Sequence, residues 1–341
     1  MQSNGFGSTF NAVLYFLFPL SLFLSASLLF GIQPMVAKVL LPIYGGTPAV
    51  WIICLVFFQC MLLVAYGYAW ILSMLSPNKS WWAIHLGVCL LSLGIVPLKF
   101  SPYFVEDFPQ QAIFLQLIVQ LGLPLFIITA STPLVQYAFS HSKYAKSQDP
   151  YYLYVASNIG SLCALISYPL LIERFSTLSE QFEIWNFAYI FYLVCLFILL
   201  LISHYRGSIV SSPILILETN VSEINKINPL QHSKSLNVSY DTSLRDDWYR
   251  WLFLSFLPCS AMLGVSSYIT SDIGSVPLLL IGPLALYLTS FIITFTKKNI
   301  IPYEWLKQNY LFFLIIPIFG FSSLFRHINA LALILANISA F

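Results

Sequence analysis

The sequence predicts an all-α fold, a polytopic transmembrane helix bundle of nine or ten spans arranged in two halves. Two observations lead to this prediction. Hydrophobic residues make up 59% of the 341 residues and charged residues only 8%, whereas about a quarter of a soluble domain is charged. Apolar runs of about 20 residues, long enough to cross a bilayer, also recur along the chain. The lipid bilayer is therefore the first partner that we expect.

The first apolar run covers residues 12–32 and leads into an unusual segment, residues 33–51. This segment contains Pro34, Pro42 and Pro48, each of which removes a backbone hydrogen-bond donor. We therefore expect the helix to break here and its backbone to find other partners. At membrane depth such a backbone is tolerated only where protein or a water-filled cavity covers it.

The same segment contains the pair Gly45-Gly46, which permits positive φ, and one charge, Lys38. We interpret the segment as the lip of a cavity and Lys38 as a candidate functional charge, because charges inside a membrane are rare and costly. The alternative is a loop at the membrane surface whose lysine simply reaches water.

Eight further apolar runs are predicted as spans two to nine. They cover residues 51–75, 82–98, 112–139, 153–172, 184–203, 251–269, 275–296 and 308–325. A polar stretch over residues 204–250 separates a first six-helix half, residues 1–203, from a second half, residues 251–341, and need not fold. The last run, residues 328–341, is too short to cross, so we expect the second half to be truncated inside a tenth span.

The distribution of basic residues predicts the orientation of the bundle. Of the 15 Lys and Arg residues, four (Lys38, Lys99, Arg174 and Arg326) fall on one side, which leaves 11 on the other. Because cytoplasmic loops carry the excess of basic residues, we expect the N-terminus and residues 204–250 in the cytoplasm. The lip at residues 33–51 then faces outward.

Composition and motifs argue against several function classes. A net charge of +2, spread over loops, gives no reason to expect nucleic acid. The six cysteines all lie in apolar runs without CxxC spacing, and the five histidines are scattered, so no metal site is predicted. GxSxG, Walker and GxGxxG motifs are absent from the sequence, so we expect neither a cofactor nor an enzyme.

Polar residues in or near the spans supply the candidate site. The residues that we predict to bind a solute are Gln33, Lys38, Asn158, Tyr268, Thr270 and Asp272. Gln59, Gln116 and Gln120 are instead interpreted as interhelical hydrogen-bond partners, which is the commoner role of a lone amide in a bundle. Glu173 and Arg174 lie together at a span end and are expected to pair at the interface.

A weak internal repeat connects Lys38 with Asp272. The sequence SLLFG at residues 27–31, followed by GTP at 46–48, is similar to SAMLG at 260–264, followed by GSVP at 274–277. Both charges follow the first glycine at nearly equal distance. We therefore predict that they lie near each other at the outward end of a cavity between spans one and seven.

Glycines and prolines inside the spans allow two interpretations. They can kink helices that rock against one another, or they can serve close helix packing. We favour packing for Gly122 and Gly160.

Several motifs resemble those of a known family. They are GGTPAVW at residues 45–51, FFQ at 57–59, YGYA at 66–69, DPYYLYVASNIGS at 149–161, YP at 168–169 and MLGVSSYITSDIGSVP at 262–277. In this order they resemble the membrane half of the bacterial proteins described as fused major-facilitator and spermidine-synthase proteins. The resemblance covers nearly the whole chain. It implies two major-facilitator-like halves in a multi-pass protein of the bacterial inner membrane.

The chain departs from that family in two respects. Relatives often continue into a cytoplasmic domain similar to aminopropyltransferases, whereas this sequence ends before any such domain, so polyamine synthesis is not implied. Residues 76–81 also lack the basic-acidic glycine motif typical of major-facilitator transporters.

The function that we expect is a transporter-like membrane protein that binds a small polar or cationic solute, with a polyamine as one candidate. The alternative is a non-transporting scaffold that anchors a separately encoded, soluble synthase-like protein. A third possibility is a truncated product without activity.

Overall fold

A computed structural model describes most of the chain. The described residues are 4–45, 48–75, 81–105, 107–140, 151–205, 243–272, 281–296, 304–305 and 307–309. Side chains are described for these residues except at 4–12, 48, 75, 204–205, 243–248 and 265–272.

The described part of the chain is helical apart from its connections, which confirms the all-α prediction. The helices are α1 (Asn4–Tyr44), α2 (Pro48–Leu75), α3 (Trp81–Ser92), α4 (Pro109–Ser140), α5 (Tyr151–Ser167), α6 (Leu178–Tyr205), α7 (Ser243–Asp272) and α8 (Ile281–Phe295). Among the described residues, five segments are long and apolar enough to cross a membrane: Val13–Tyr44, Ala49–Met74, Pro109–Ser140, Tyr151–Phe175 and Leu178–Ser203.

Helix α1 is the centre of the bundle. It packs against α4, α5 and α6, while α2 packs on α4 and α8 packs on α5. Phe18 and Ile32 of α1 are buried, whereas large apolar side chains such as Leu63 and Phe187 are more than 70% exposed on the outside. Contiguous apolar exposure of this kind suits a surface that faces lipid.

Helix α1 does not break at its prolines, so the predicted helix break is wrong for most of residues 33–51. The helix runs through Pro34 and Pro42 to Tyr44. Proline has a helical φ, and inside a membrane bundle the one helical hydrogen bond that it removes is compensated by neighbouring groups.

The chain leaves the helix only at the glycine pair. Gly45 has a φ of 78° and its N–H donates to the Leu41 carbonyl over 2.9 Å. Such a left-handed residue is the usual end of a helix. Pro48 then begins α2, where its missing N–H removes no helical bond. Gly46 lies outside the described residues.

The third predicted span, residues 82–98, also differs from the prediction. Helix α3 ends at Ser92 after 12 residues, which gives a length of about 18 Å, well short of a bilayer core of about 30 Å. After a turn, residues 96–105 run without helical structure. We name residues 98–103 the extended segment.

Two glutamines of α4 hold the backbone of the extended segment. Gln120 accepts from the Ser101 N–H over 2.8 Å and donates to the Ser101 carbonyl over 3.4 Å. Gln116 makes the same pair of bonds with Tyr103, over 2.9 and 3.1 Å. One turn of helix rises about 6 Å in four residues, and two residues of extended chain span about 6.6 Å, so the two spacings match.

A third amide and a phenol complete the attachment of the extended segment. Asn186 of α6 accepts from the Leu98 N–H over 2.7 Å and donates to the Leu98 carbonyl over 3.1 Å. The Tyr44 hydroxyl, at the end of α1, donates to the Tyr103 carbonyl over 2.7 Å. Side chains thus satisfy a non-helical backbone that is buried at Leu98 and Phe100 and exposed at Tyr103.

The second half is described only in part. Helix α7 begins at Ser243, inside the polar stretch 204–250 for which no structure is predicted. Helix α8 packs on the first half, and its Phe295 ring stacks on Tyr151 and Tyr154 with centroids 5.7 and 5.6 Å apart. The predicted ninth span and the last apolar run lie outside the described residues, apart from residues 308–309.

Candidate functional site

A pocket of about 290 Å³ opens between α1, α2, α5 and α8. Its lining is mostly apolar and aromatic, with a few polar groups, which is the usual character of a small-molecule site. The lining residues are Gln33, Pro34, Lys38, Leu41, Trp51, Cys54, Leu55, Phe58, Leu165, Tyr168, Glu173, Ile281 and Leu284. Two of the predicted binding residues, Gln33 and Lys38, therefore line one cavity.

Lys38 forms an ion pair with Glu173 on the wall of this pocket. The Lys38 Nζ donates to Glu173 Oε1 over 2.8 Å, and the two side chains remain 40% and 33% exposed. An opposite charge is the simplest relief for a charge near membrane depth. The sequence predicted Asp272 as the neighbour of Lys38; the Asp272 side chain lies outside the described residues.

A turn of π-helix brings Glu173 to the pocket. After α5, residues Tyr168–Ile172 are π-helical, and the Glu173 N–H bonds to the Tyr168 carbonyl five residues earlier. Pro169, near the start of this turn, cannot donate to the carbonyl four residues before it, which favours the wider turn. One extra residue rotates all later side chains by about 100°. Glu173 therefore points where a regular helix would not place it.

Hydrogen bonds to the start of α6 hold this turn in place. The Tyr168 hydroxyl donates to Gln181 Oε1 over 3.1 Å, and Gln181 Nε2 donates to the Ser176 carbonyl over 3.0 Å. Thr177 and Glu180 form a capping box at the start of α6, because Glu180 accepts from the Thr177 N–H over 2.7 Å. These hydrogen bonds hold the π-turn, and Glu173 with it, against the start of α6.

Two further polar groups belong to residues that line the pocket and have no partner among the described residues. The indole Nε1 of Trp51 is buried and finds no acceptor. The side chain of Gln33 makes no hydrogen bond to any described residue. The Gln33 amide is therefore available to a bound molecule, whereas the Trp51 Nε1 is buried away from the open space of the pocket.

The other predicted binding residues are not brought to the pocket by what the structure describes. Asn158 uses its Nδ2 locally, donating to the Tyr154 carbonyl over 2.8 Å. The backbone of Tyr268, Thr270 and Asp272 belongs to the end of α7, but their side chains lie outside the described residues. None of the lining residues in the described part of the chain belongs to α7; α8 supplies the wall from the second half.

A second polar cluster, which the scattered histidines did not reveal, is buried between α3 and α4. His85 Nε2 lies 2.8 Å from Ser131 Oγ, and Ser131 itself donates to the Ile127 carbonyl over 2.6 Å. Ser131 must then accept from His85, which assigns the proton to Nε2 and leaves Nδ1 to accept from Tyr68, 3.5 Å away. This histidine has its hydrogen bonds satisfied inside the core, as a structural residue does.

Glu173 is a candidate functional residue for which the predicted partner was wrong. It was expected to pair with Arg174, but that guanidinium lies over the Phe175 ring, 5.7 Å from its centroid. A usable signal was present: Lys38 and Glu173 both lie at span ends on the side assigned as outward, and Pro169 precedes Glu173 inside a span.

Comparison with known proteins supplies no relative. No protein-family model, no curated protein and no solved structure matches the chain. The resemblance carried by the motifs therefore stays a prediction, and the chemistry of the pocket rests on its own residues.

Proposed function

We propose that this protein is a transporter-like membrane protein that binds a small polar or cationic solute in the pocket beside Lys38 and Glu173. The observation that carries the proposal is an ion pair on the wall of an otherwise apolar cavity. Both charged side chains remain at least one third exposed, so a molecule in the pocket can reach them.

A purely structural role for the pair explains less. Two opposite charges taken from water add little net stability, and an apolar pair of similar size often holds two helices as well. A structural pair also needs no cavity beside it. Ligand binding accounts for both the ion pair and the cavity.

Movement between two states is the second part of the proposal. The pocket has walls from α1, α2 and α5 on one side and from α8 on the other, so a shift of one half against the other would open or close it. Three prolines in α1 and the π-turn after α5 are places where such helices bend. Nine or ten spans in two halves, as in the fused major-facilitator and spermidine-synthase proteins, fit this proposal.

Binding to the full chain in lipid nanodiscs tests the proposal. We expect the unfolding temperature to rise with at least one class of solute among amino acids, polyamines and small carboxylates, since a ligand at 100 times its Kd stabilises by about 2.7 kcal/mol. Lys38→Met and Glu173→Gln should change the response, whereas Lys99→Met and Glu183→Gln, at exposed positions outside the pocket, should not.

Two results would contradict the proposal. One is the absence of any shift across the three solute classes. The other is a shift that is equal in the pocket variants and in the wild type. If a soluble protein is recovered from membranes in a stoichiometric complex with this chain, and no solute changes the unfolding temperature, the scaffold alternative is favoured.

A further inference from the structure

We infer that the solute is a zwitterion of the α-amino-acid type with an apolar or aromatic side chain, whose carboxylate meets Lys38 and whose ammonium group meets Glu173. This inference rests on the proposed function and specifies its substrate class. It differs from the polyamine expectation drawn from the sequence.

Both members of the ion pair have groups that are free to bind a solute. A lysine ammonium has three N–H donors, and Lys38 uses one of them on Glu173 Oε1. Glu173 Oε2 makes no hydrogen bond to any described residue. A donor set and an acceptor therefore lie side by side on one wall of the pocket, at the spacing of a direct ion pair. A carboxylate and an ammonium on adjacent atoms of a solute present the complementary pattern.

Charge balance favours a solute that carries both charges. A solute that is only a cation adds a second positive charge beside the single carboxylate of Glu173, and one that is only an anion adds a second negative charge beside the single ammonium of Lys38. In either case three charges meet in the site and one of them has no opposite partner, which is unfavourable among mostly apolar walls. A zwitterion adds one charge of each sign and leaves each of the four charges with an opposite neighbour.

The pocket walls oppose a polyamine. Glu173 is the one acidic residue among the described lining residues, so the second and third ammonium groups of a polyamine would face leucine and aromatic side chains. Burying an unpaired ammonium among apolar groups is costly. A single ammonium beside Glu173 avoids that cost.

The same walls favour an apolar tail. Trp51, Leu55, Phe58 and Leu165 line the space beside the ion pair. The volume of about 290 Å³ is at the lower end of the range for small-molecule pockets, which excludes large ligands. The amide of Gln33 offers a further donor to the solute carboxylate.

Titration calorimetry on the full chain in nanodiscs tests the inference with four probes that differ only in charge or length. These probes are L-leucine, its cationic analogue leucinamide, its anionic analogue 4-methylpentanoate, and spermidine. We expect L-leucine to bind at least tenfold more tightly than each of the others. L-Phenylalanine should also bind, since its ring meets the aromatic walls.

Two variants should change the charge preference of the pocket in opposite directions. Glu173→Gln leaves Lys38 without its partner, so 4-methylpentanoate should bind more tightly than in the wild type while L-leucine binding falls. Lys38→Met leaves Glu173 unpaired, so leucinamide should gain instead. A gain of binding cannot come from misfolding. Lys99→Met serves as the control and should retain the wild-type order.

The possible failures are distinguishable. If spermidine or a singly charged analogue binds the wild type most tightly, and the pocket variants alter that binding, the zwitterion inference is wrong and the proposed function stands. If none of the compounds binds the wild type, both are wrong. Equal binding of all four probes in wild type and variants also overturns the inference.

Discussion

At the scale of single residues, the ion pair shows what a sequence can and cannot assign. Lys38 is a candidate functional charge because a lone lysine beside a long apolar run is rare. The sequence does not predict its observed partner, because a π-turn decides where Glu173 points, and Pro169 alone does not distinguish that turn from a kinked α-helix. Distance along the chain, 135 residues, gave no help either.

A double-mutant cycle on Lys38→Met and Glu173→Gln measures this contact. Because both side chains are partly exposed, we expect a coupling of about 0.2–1 kcal/mol in the free energy of unfolding. The matched cycle of Lys99→Met with Glu173→Gln should be additive. Coupling between Lys38 and Asp272 that exceeds the coupling with Glu173 would restore the pairing predicted from the repeat.

Gly160 is the residue at which close packing was correctly expected. A Cβ added there would lie 2.4 Å from the Phe23 carbonyl oxygen of α1, and Ser27 Oγ donates to the Gly160 carbonyl over 3.0 Å beside it. Gly122 shows ordinary contacts only, with Met61 3.7 Å from its added Cβ, so close approach explains one glycine and not the other.

Gly160→Ala should therefore destabilise the bundle by about 1–3 kcal/mol, the usual cost of overpacking. The measurement is the unfolding free energy in nanodiscs or mixed micelles. Gly67→Ala is the control, because nothing lies within 4 Å of its added Cβ, and its stability should stay equal or rise through helix propensity. Equal effects of the two substitutions would contradict close packing at Gly160.

At the scale of elements, length and hydrophobicity predicted the spans well where the chain is a plain helix. Helix α4 differs from its predicted bounds by three residues at the start and one at the end. The prediction was wrong where backbone hydrogen bonds are made by distant side chains. Residues 93–98 are apolar enough to continue α3, but residues 93–95 form a turn, Pro97 cannot donate a helical hydrogen bond, and Asn186 bonds to the backbone of Leu98 instead.

Removing one of the amides that bond to the extended segment should lower the free energy of unfolding, and by more where the amide is buried. Gln116 and Asn186 are buried, so Gln116→Leu or Asn186→Leu should cost about 1–3 kcal/mol for the unsatisfied backbone groups. Gln120→Leu should cost less, because its bonds to Ser101 are exposed. Gln111→Leu, an exposed glutamine on the same helix, is the control; if it destabilises as much as Gln116→Leu, the amides do not hold the extended segment.

At the scale of the whole molecule, the predicted order of spans places the loops after spans one, three and five at the same end of the bundle. The structure agrees on their relative positions: Lys38 meets Glu173, and Tyr44 meets Tyr103, although these pairs are far apart in sequence. The side of the membrane depends on the basic-residue bias alone. The arrangement of helices around the pocket could not be predicted, because apolar faces in a membrane protein carry little pattern.

Labelling a single cysteine tests the orientation. We expect Phe104→Cys, in a chain whose six native cysteines are replaced, to react with a membrane-impermeant thiol reagent from the side opposite the cytoplasm, since Phe104 is 57% exposed beside the extended segment. Reaction only from the cytoplasmic side would reverse the predicted topology.

The most direct measurement for the central claim is solute protection at the pocket itself. Leu41→Cys, in the same cysteine-replaced chain, places a thiol on the pocket wall one turn from Lys38. Saturating L-leucine should slow its reaction with a small thiol reagent several-fold, while Phe104→Cys, outside the pocket, reacts at an unchanged rate. Equal rates at position 41 with and without L-leucine or spermidine would contradict the account, because the pocket would then hold neither solute.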